Sequence, residues 1–183
     1  MGPPTRSAIK TPVLGGEKLK FESEDVALTV IIAAIYAAGV VFLAPISFGV
    51  FQVRMADALL PLAALFGLPV ALGTGFGCFI ANFYGGLGIV DVVGGAFANF
   101  VACVLARFIS GKTILHRFAS CLVETAIVTL VVGSYLSALL DVPIEASLLG
   151  VFLGSVVAIN ILGFSLLEAL HRSGVAKRFV EKG

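Results

Sequence analysis

Polar residues in this chain are confined to short connections between long apolar runs. Four runs, 26–44, 89–109, 118–140 and 144–170, are each long enough to supply the roughly 20 residues with which a helix crosses a bilayer. A fifth stretch, 55–83, is too long for one straight crossing and is broken by Gly-Leu-Pro at 67–69, a sequence that interrupts helix on both sides. It reads either as one tilted span or as a short helical hairpin.

Charge separates the two readings, because Lys and Arg accumulate in cytoplasmic loops. With a hairpin there are six helices, and three basic groups fall on one face. These are Arg6, Lys10, Lys18 and Lys20 in the N-terminal segment, Arg107, Lys112 and Arg117 in a connection, and Arg172, Lys177, Arg178 and Lys182 at the C-terminus. Only Arg54 is left on the outer face. A single crossing would carry the 107–117 cluster outside, against the rule. The expected fold is therefore all-α, an integral membrane bundle of six helices with N- and C-termini cytoplasmic. Residues 1–25 are expected to be a polar tail, 26–172 the transmembrane domain and 173–183 a short C-terminal tail.

Composition agrees with a membrane address: 59% of residues are hydrophobic, 13% are charged and the mean hydropathy is +1.09, outside the range of soluble domains. A multi-pass protein of the cell membrane is expected, with the lipid bilayer as its surroundings. The N-terminal tail lacks the apolar core of a signal peptide, and Arg6 occupies the place where a myristoylation pattern needs Ser or Thr. A net charge of +1 leaves no basic surface for a nucleic-acid partner. Cys78, Cys103 and Cys121 have no metal-ligand spacing and read as small packing residues. His116 and His171, beside arginines at helix ends, read as solvated. No cofactor or metal is expected, and no nucleophile, zinc or nucleotide-binding motif points to an enzyme. The glycines of "GTGFG" and "GLGIVDVVGG" are not dinucleotide fingerprints, since no strand precedes them.

An ionisable residue inside a spanning segment costs about 2.5–3.5 kcal/mol on insertion scales, so each one needs a reason. In the outer half these polar residues are Gln52, Arg54, Asp57, Asn82, Tyr84 and Asp91. Arg54 and Asp57, three apart, form a local ion pair on the first turn of a helix in one reading; in the other, Arg54 and Gln52 present donors and Asp57 or Asp91 acceptors to an incoming ligand. Asn82 is either a helix-terminal residue in a Gly-rich turn or a ligand contact, and Asp91 either complements a helix N-terminus or lines a pocket. Glu124 lies well inside the fifth helix, too short to snorkel. It pairs with an amide such as Asn99 or Asn160, carries a proton, or accepts hydrogen bonds from a substrate amine. Glu168, near His171 and Arg172, reads as interfacial.

Small residues supply close helix approaches: Gly73 with Gly77, and Gly150 with Gly154. Ala33 with Ala37, and Ala34 with Ala38, make a smooth stripe on the first helix that packs either within the chain or against another protein.

The blocks "PISFGVFQVRMADALLPLAALFGLP" and "GCFIANFYGGLGIVDVVGGAFANFVA", separated by a short hairpin, resemble the QueT family of queuosine-precursor transporters, S components of energy-coupling factor (ECF) transporters. The resemblance implies a bundle of the S-component type, with the connection between helices 1 and 2 acting as a lid over an outward pocket. It also implies partners, namely an ECF coupling membrane subunit and two ATPase subunits, and docking through Ala33 and Ala37, with Ala34 and Ala38 beside them. Glu124, where the family often has asparagine, and "GSVVAINILG", which lacks the family's Gly-Glu pair, depart from the pattern near the implied substrate.

A deazaguanine base offers adjacent imino and amino donors and a carbonyl. Glu124, Asp57, Asn82 and Arg54 match these, with Phe48, Phe51, Phe83 and Tyr84 available to stack and Asn160 as a further contact. The expected function is that of a substrate-binding subunit of an ATP-energised importer for a deazaguanine or related flat micronutrient. Alternatives are a proton-coupled transporter acting alone, with Glu124 as its carrier, or a membrane scaffold.

Overall fold

The computed structural model describes residues 22–49, 52–111 and 113–174, and all ten elements among them are helical. The expected tails up to residue 21 and beyond 174, together with Phe51 and Lys112, lie outside the described residues. We number the helices α1 (Ser23–Phe42), α2 (Met55–Phe66), α3 (Leu68–Gly85), α4 (Ile89–Ile109), α5 (Ile114–Leu140) and α6 (Ile144–Ser173). One further helical turn, Ala44–Ser47, follows α1.

Five of the six are long and apolar enough to cross a membrane; α2 is apolar but shorter. The hairpin reading of 55–83 therefore holds for the break, which falls at Gly67. Its backbone (φ 74°, ψ −136°) is one that side-chain-bearing residues avoid, and Pro69 starts the next helix within its first turn. What the sequence pattern did not foresee is the form of α2. Residues Met55–Leu62 wind as a 3-10 helix containing Pro61, and only Ala63–Phe66 is α-helical. Proline has no N–H to give an α-helical ladder, and the looser requirement of a 3-10 turn accommodates it.

The α2 helix is the hub. It touches α1, α3, α4, α5 and α6, while those helices pack in sequence around it, α1 on α3, α3 on α4, α4 on α5 and α5 on α6. Opposite the tight 3-10 turns, α6 is over-wide, a π-helix over Val156–Gly163. The two irregular segments pack together, and a side chain at Gly163 would meet Pro61 and the carbonyl of Ala58. Length then dictates position. At 3-10 and α rises, α2 spans about 22 Å, against about 30 Å of hydrocarbon. Its C-terminal end is level with the end of α4, since Gly67 lies against the guanidinium of Arg107. Its N-terminal end therefore stops short, and the connection feeding it dips into the bundle.

Helix α1 is the most peripheral element. Its buried residues, Ile32, Tyr36 and Val40, form a single i, i+4, i+8 stripe against α3. Close approach depends on Gly77, whose missing Cβ would lie 2.7 Å from Cβ of Tyr36 and 2.8 Å from the carbonyl oxygen of Ala33. Thus Ala33 and Ala37 flank the α1–α3 contact and are half-buried, whereas Ala34 and Ala38 are exposed among Val30, Ile31 and Ile35. At the basic end of the bundle Arg117 and Glu168, both buried, pair at 2.5 Å, with Arg172 beside them. Glu168, read from sequence as interfacial, is a tie between α5 and α6.

Gly77→Val is expected to force α1 from α3 and to destabilise the bundle by about 1–3 kcal/mol, the usual cost of overpacking, seen as a lower melting temperature in detergent. Phe42→Ala, on an exposed position of the same helix, should leave it unchanged.

Candidate functional site

The dipping connection brings Arg54 into the interior, with only 6% of its surface exposed. An arginine cannot shed its charge, so burying it requires acceptors on every side. Its Nε donates to Oε1 of Gln52 (3.0 Å) and to the carbonyl of Ser47 (3.4 Å), and Nη1 reaches Sγ of Cys78 on α3 (3.5 Å). Its Nη2 lies 3.7 Å from Oδ1 of Asp91 on α4, and the guanidinium stands 5.6 Å from the ring centre of Phe48. Thus Arg54 ties the connection to α3 and α4 at once.

Asp91, in the first turn of α4, is fully buried. Its Oδ1 also accepts from the hydroxyl of Tyr135 on α5 (3.0 Å), and its backbone carbonyl accepts from Nδ2 of Asn82 (2.7 Å). The Asn82 side chain fits because Gly95 faces it: a Cβ there would lie 2.5 Å from Nδ2. Asp57 does not form the local pair with Arg54 that the i, i+3 spacing allows. Its Oδ1 accepts from the hydroxyl of Tyr36 on α1 (2.5 Å), whose oxygen in turn accepts from Nδ2 of Asn99 on α4 (2.9 Å). Arg54 is the N-cap, with extended backbone (φ −85°, ψ 91°), so it stands outside the helix that carries Asp57 and the i, i+3 neighbourhood of a helical turn does not apply to the pair.

The connection is seated by α6. A Cβ at Gly154 would fall on the backbone carbonyl of Gln52, so glycine there is what lets the strap lie against the helix. Between strap and bundle is a small cavity lined by Gln52, Arg54, Asp57, Asn99, Val128, Val132, Val151 and Ser155, with room for about one water molecule. Four helices, α2, α4, α5 and α6, and the strap border it.

Glu124 lies below this cavity. With Val128 and Val132 it forms an i, i+4, i+8 row on one face of α5, and Asp57 is close enough to interact with it electrostatically. It is fully buried, and neither carboxyl oxygen has a hydrogen-bond partner among the described residues. The amides expected to satisfy it are engaged elsewhere, Asn99 with Tyr36 and Asn160 with Oγ1 of Thr125 (3.0 Å). Buried polar atoms are almost always paired, yet Nε2 of Gln52, Nη2 of Arg54, Oδ1 of Asn82, Oδ2 of Asp91, Oγ1 of Thr129 and Oδ1 of Asn160 also lack a hydrogen bond. Of these, Nε2 of Gln52 and Nη2 of Arg54 belong to residues that line the cavity, and the others are buried on α3, α4, α5 and α6.

The structure thus brings Gln52, Arg54, Asp57, Asn82 and Asp91 into one buried cluster, places Glu124 beneath it and Asn160 on the helix opposite. Tyr84 is not in the cluster; it is 65% exposed at the end of α3, as is Phe83 beside it. Phe48 faces Arg54 and covers Gly85. Tyr36, Asn99, Tyr135 and Cys78 complete the network. The sequence offers Asn99 only as a partner for Glu124 and Cys78 only as a packing residue, and a lone tyrosine in an apolar run carries no spacing signal that would have found Tyr36 or Tyr135.

The family described as QueT transporter matches residues 26–172. No curated protein and no solved structure matches the chain. The chain belongs to the QueT transporter family and is a multi-pass membrane protein.

Tyr36→Phe leaves the Asp57 carboxylate buried without its donor and Asn99 without its acceptor. A loss of about 1–3 kcal/mol is expected in unfolding measurements. Arg172→Ala, at the exposed end of the basic-face pair, should cost under about 1 kcal/mol.

Proposed function

We propose that this member of a membrane transporter family is the substrate-binding subunit of an ATP-energised importer, capturing a flat polar micronutrient of deazaguanine type in the cavity beneath the strap. One observation carries the reading. Buried polar atoms without a hydrogen bond among the described residues come from the strap and from α3 to α6, and two of the residues that carry them, Gln52 and Arg54, line the cavity beside Asp57 and Asn99; a protein that needed them only for packing would have paired them.

The strap is the lid. Arg54 latches it to Asp91 and Cys78, and its removal from the bundle would uncover the polar floor. Phe48 offers a ring face, Gln52 and Arg54 offer donors to a carbonyl, and Glu124 offers paired acceptors to an amidine-like edge. A cavity with room for about one water must open to admit a ring, so ligand entry and lid movement are one event. The basic end, with Arg107, Arg117 and Arg172, is the cytoplasmic face under the positive-inside rule. The exposed Ala34 and Ala38, beside Ala33 and Ala37, offer the face of α1 on which a coupling subunit and its two ATPases would act. None of these residues performs chemistry on the ligand.

The purified chain is expected to bind a deazaguanine base saturably. Arg54→Ala and Asn82→Ala should each weaken binding at least tenfold while the chain stays folded; unchanged affinity in both folded variants would remove the cavity from the account. Vesicles containing this chain alone should bind ligand without accumulating it. Accumulation that collapses with the pH gradient would identify a self-sufficient proton-coupled carrier instead.

A further inference from the structure

Resting on the reading of the strap as a lid, the partners of Asp91 show what the bundle keeps when the strap leaves it. The Arg54 guanidinium takes two of its acceptors, Oε1 of Gln52 and the carbonyl of Ser47, from its own connection, and these travel with it. From the bundle it has the thiol of Cys78 and a single opposite charge within ion-pair distance, Asp91. Opening therefore strips the fully buried Asp91 of its only ion-pair partner among the described residues. A buried carboxylate left alone is unfavourable, and that penalty holds the lid shut.

The pair is nevertheless incomplete. A guanidinium and a carboxylate can meet through two parallel hydrogen bonds. Here Nη2 of Arg54 stands 3.7 Å from Oδ1 of Asp91, and neither Nη2 nor Oδ2 of Asp91 has a hydrogen bond among the described residues. What Oδ1 has instead is the hydroxyl of Tyr135, at 3.0 Å. This tyrosine belongs to α5, not to the strap. Two glycines on the turn after Asp91 make room for it, since a Cβ at Gly94 would lie 2.9 Å from Cε1 of the ring and one at Gly95 3.4 Å from the hydroxyl oxygen. Positions 91, 94 and 95 share one face of α4, so the ring is laid along the face that carries the carboxylate.

We propose that Tyr135 is a positioning residue for lid movement: it holds Asp91 back from a full pair with Arg54, and it keeps a donor on the carboxylate when Arg54 withdraws. In the closed chain it weakens the latch by taking Oδ1 at hydrogen-bond distance. In the open chain it is the donor to the Asp91 side chain that stays behind. Both effects favour opening, so loss of the hydroxyl tightens the latch rather than loosening it.

The sign of the effect tests this. With Cys103 and Cys121 replaced by alanine, the rate at which a small water-soluble maleimide labels Cys78 is followed in the full chain without ligand. Tyr135→Phe should slow it about fivefold or more, the scale of a hydrogen bond to a charged group, whereas a tyrosine that only braced α5 against α4 would speed labelling on removal. Gly94→Ala, which must displace the ring, should slow labelling in the same direction and carries the test where Tyr135→Phe does not fold; added to Tyr135→Phe it should change nothing further. With 7-deazaguanine as the probe, Tyr135→Phe should lower the association and dissociation rates together and leave the affinity unchanged, because the lid is closed both before and after binding. Unchanged or faster labelling in Tyr135→Phe, with Arg54→Ala still faster than the parent, would mean that water serves the carboxylate as well as the tyrosine does; it would overturn the role and leave the lid standing. Equal labelling with and without Arg54 would remove the lid itself, and this role with it.

Discussion

A guanidinium that cannot be neutralised, enclosed within a membrane bundle, sets the terms for the rest of this structure. Desolvating Arg54 is tolerable only if acceptors surround it, and they come from the strap, from α3 and from α4. That requirement fixes the strap against the bundle, and the strap is long enough to reach because α2 is short. The shortness of α2 follows from its residue count, between the extended Arg54 and the break at Gly67, and its 3-10 winding, which rises more per residue than an α-helix, only partly offsets it. The π-helical stretch of α6 then provides the width in which the 3-10 turns fit. Irregular backbone in two helices is what positions one buried cation.

Two buried ionic groups in the bundle show how differently burial can be used. At the basic end Arg117 and Glu168 meet directly, at 2.5 Å, and tie α5 to α6. Near the strap the same kinds of side chain stop short of one another, Arg54 at 3.7 Å from Asp91 and Glu124 without a hydrogen bond among the described residues. Incomplete pairing, rather than burial, is what distinguishes a place that can exchange water for ligand from one that only holds helices together. A site whose donors and acceptors are already satisfied would have nothing to offer a polar ring.

Much of the fold was legible because lipid imposes a strict code. Ile89–Ile109 stands where its apolar run ends, and the break at 67–69 is where Gly and Pro require it. The membrane penalty likewise singled out Arg54, Asp57, Asn82, Asp91 and Glu124, since any polar group in such runs needs an explanation. What the sequence could not convey was pairing. The i, i+3 pairing of Arg54 and Asp57 assumed that both lie on one helical turn, but Arg54 is the extended N-cap and Asp57 turns to Tyr36 of α1. Tyr36, Asn99 and Tyr135 come from three helices and meet only in space. Gly154 looked like one half of a helix-packing pair, yet it receives the backbone of the strap. The length deficit of α2, which its 3-10 winding reduces but does not remove, decides the depth of the site.

The most direct measurement is the reactivity of Cys78, which lies under the Arg54 guanidinium. In a chain with Cys103→Ala and Cys121→Ala, labelling of Cys78 by a small water-soluble maleimide reports whether the strap is closed. Slow labelling with Arg54 present, at least tenfold faster labelling after Arg54→Ala, and further slowing of the parent chain by a bound deazaguanine base are the results expected of a latched lid over a ligand site. Equal labelling rates with and without Arg54 would contradict it.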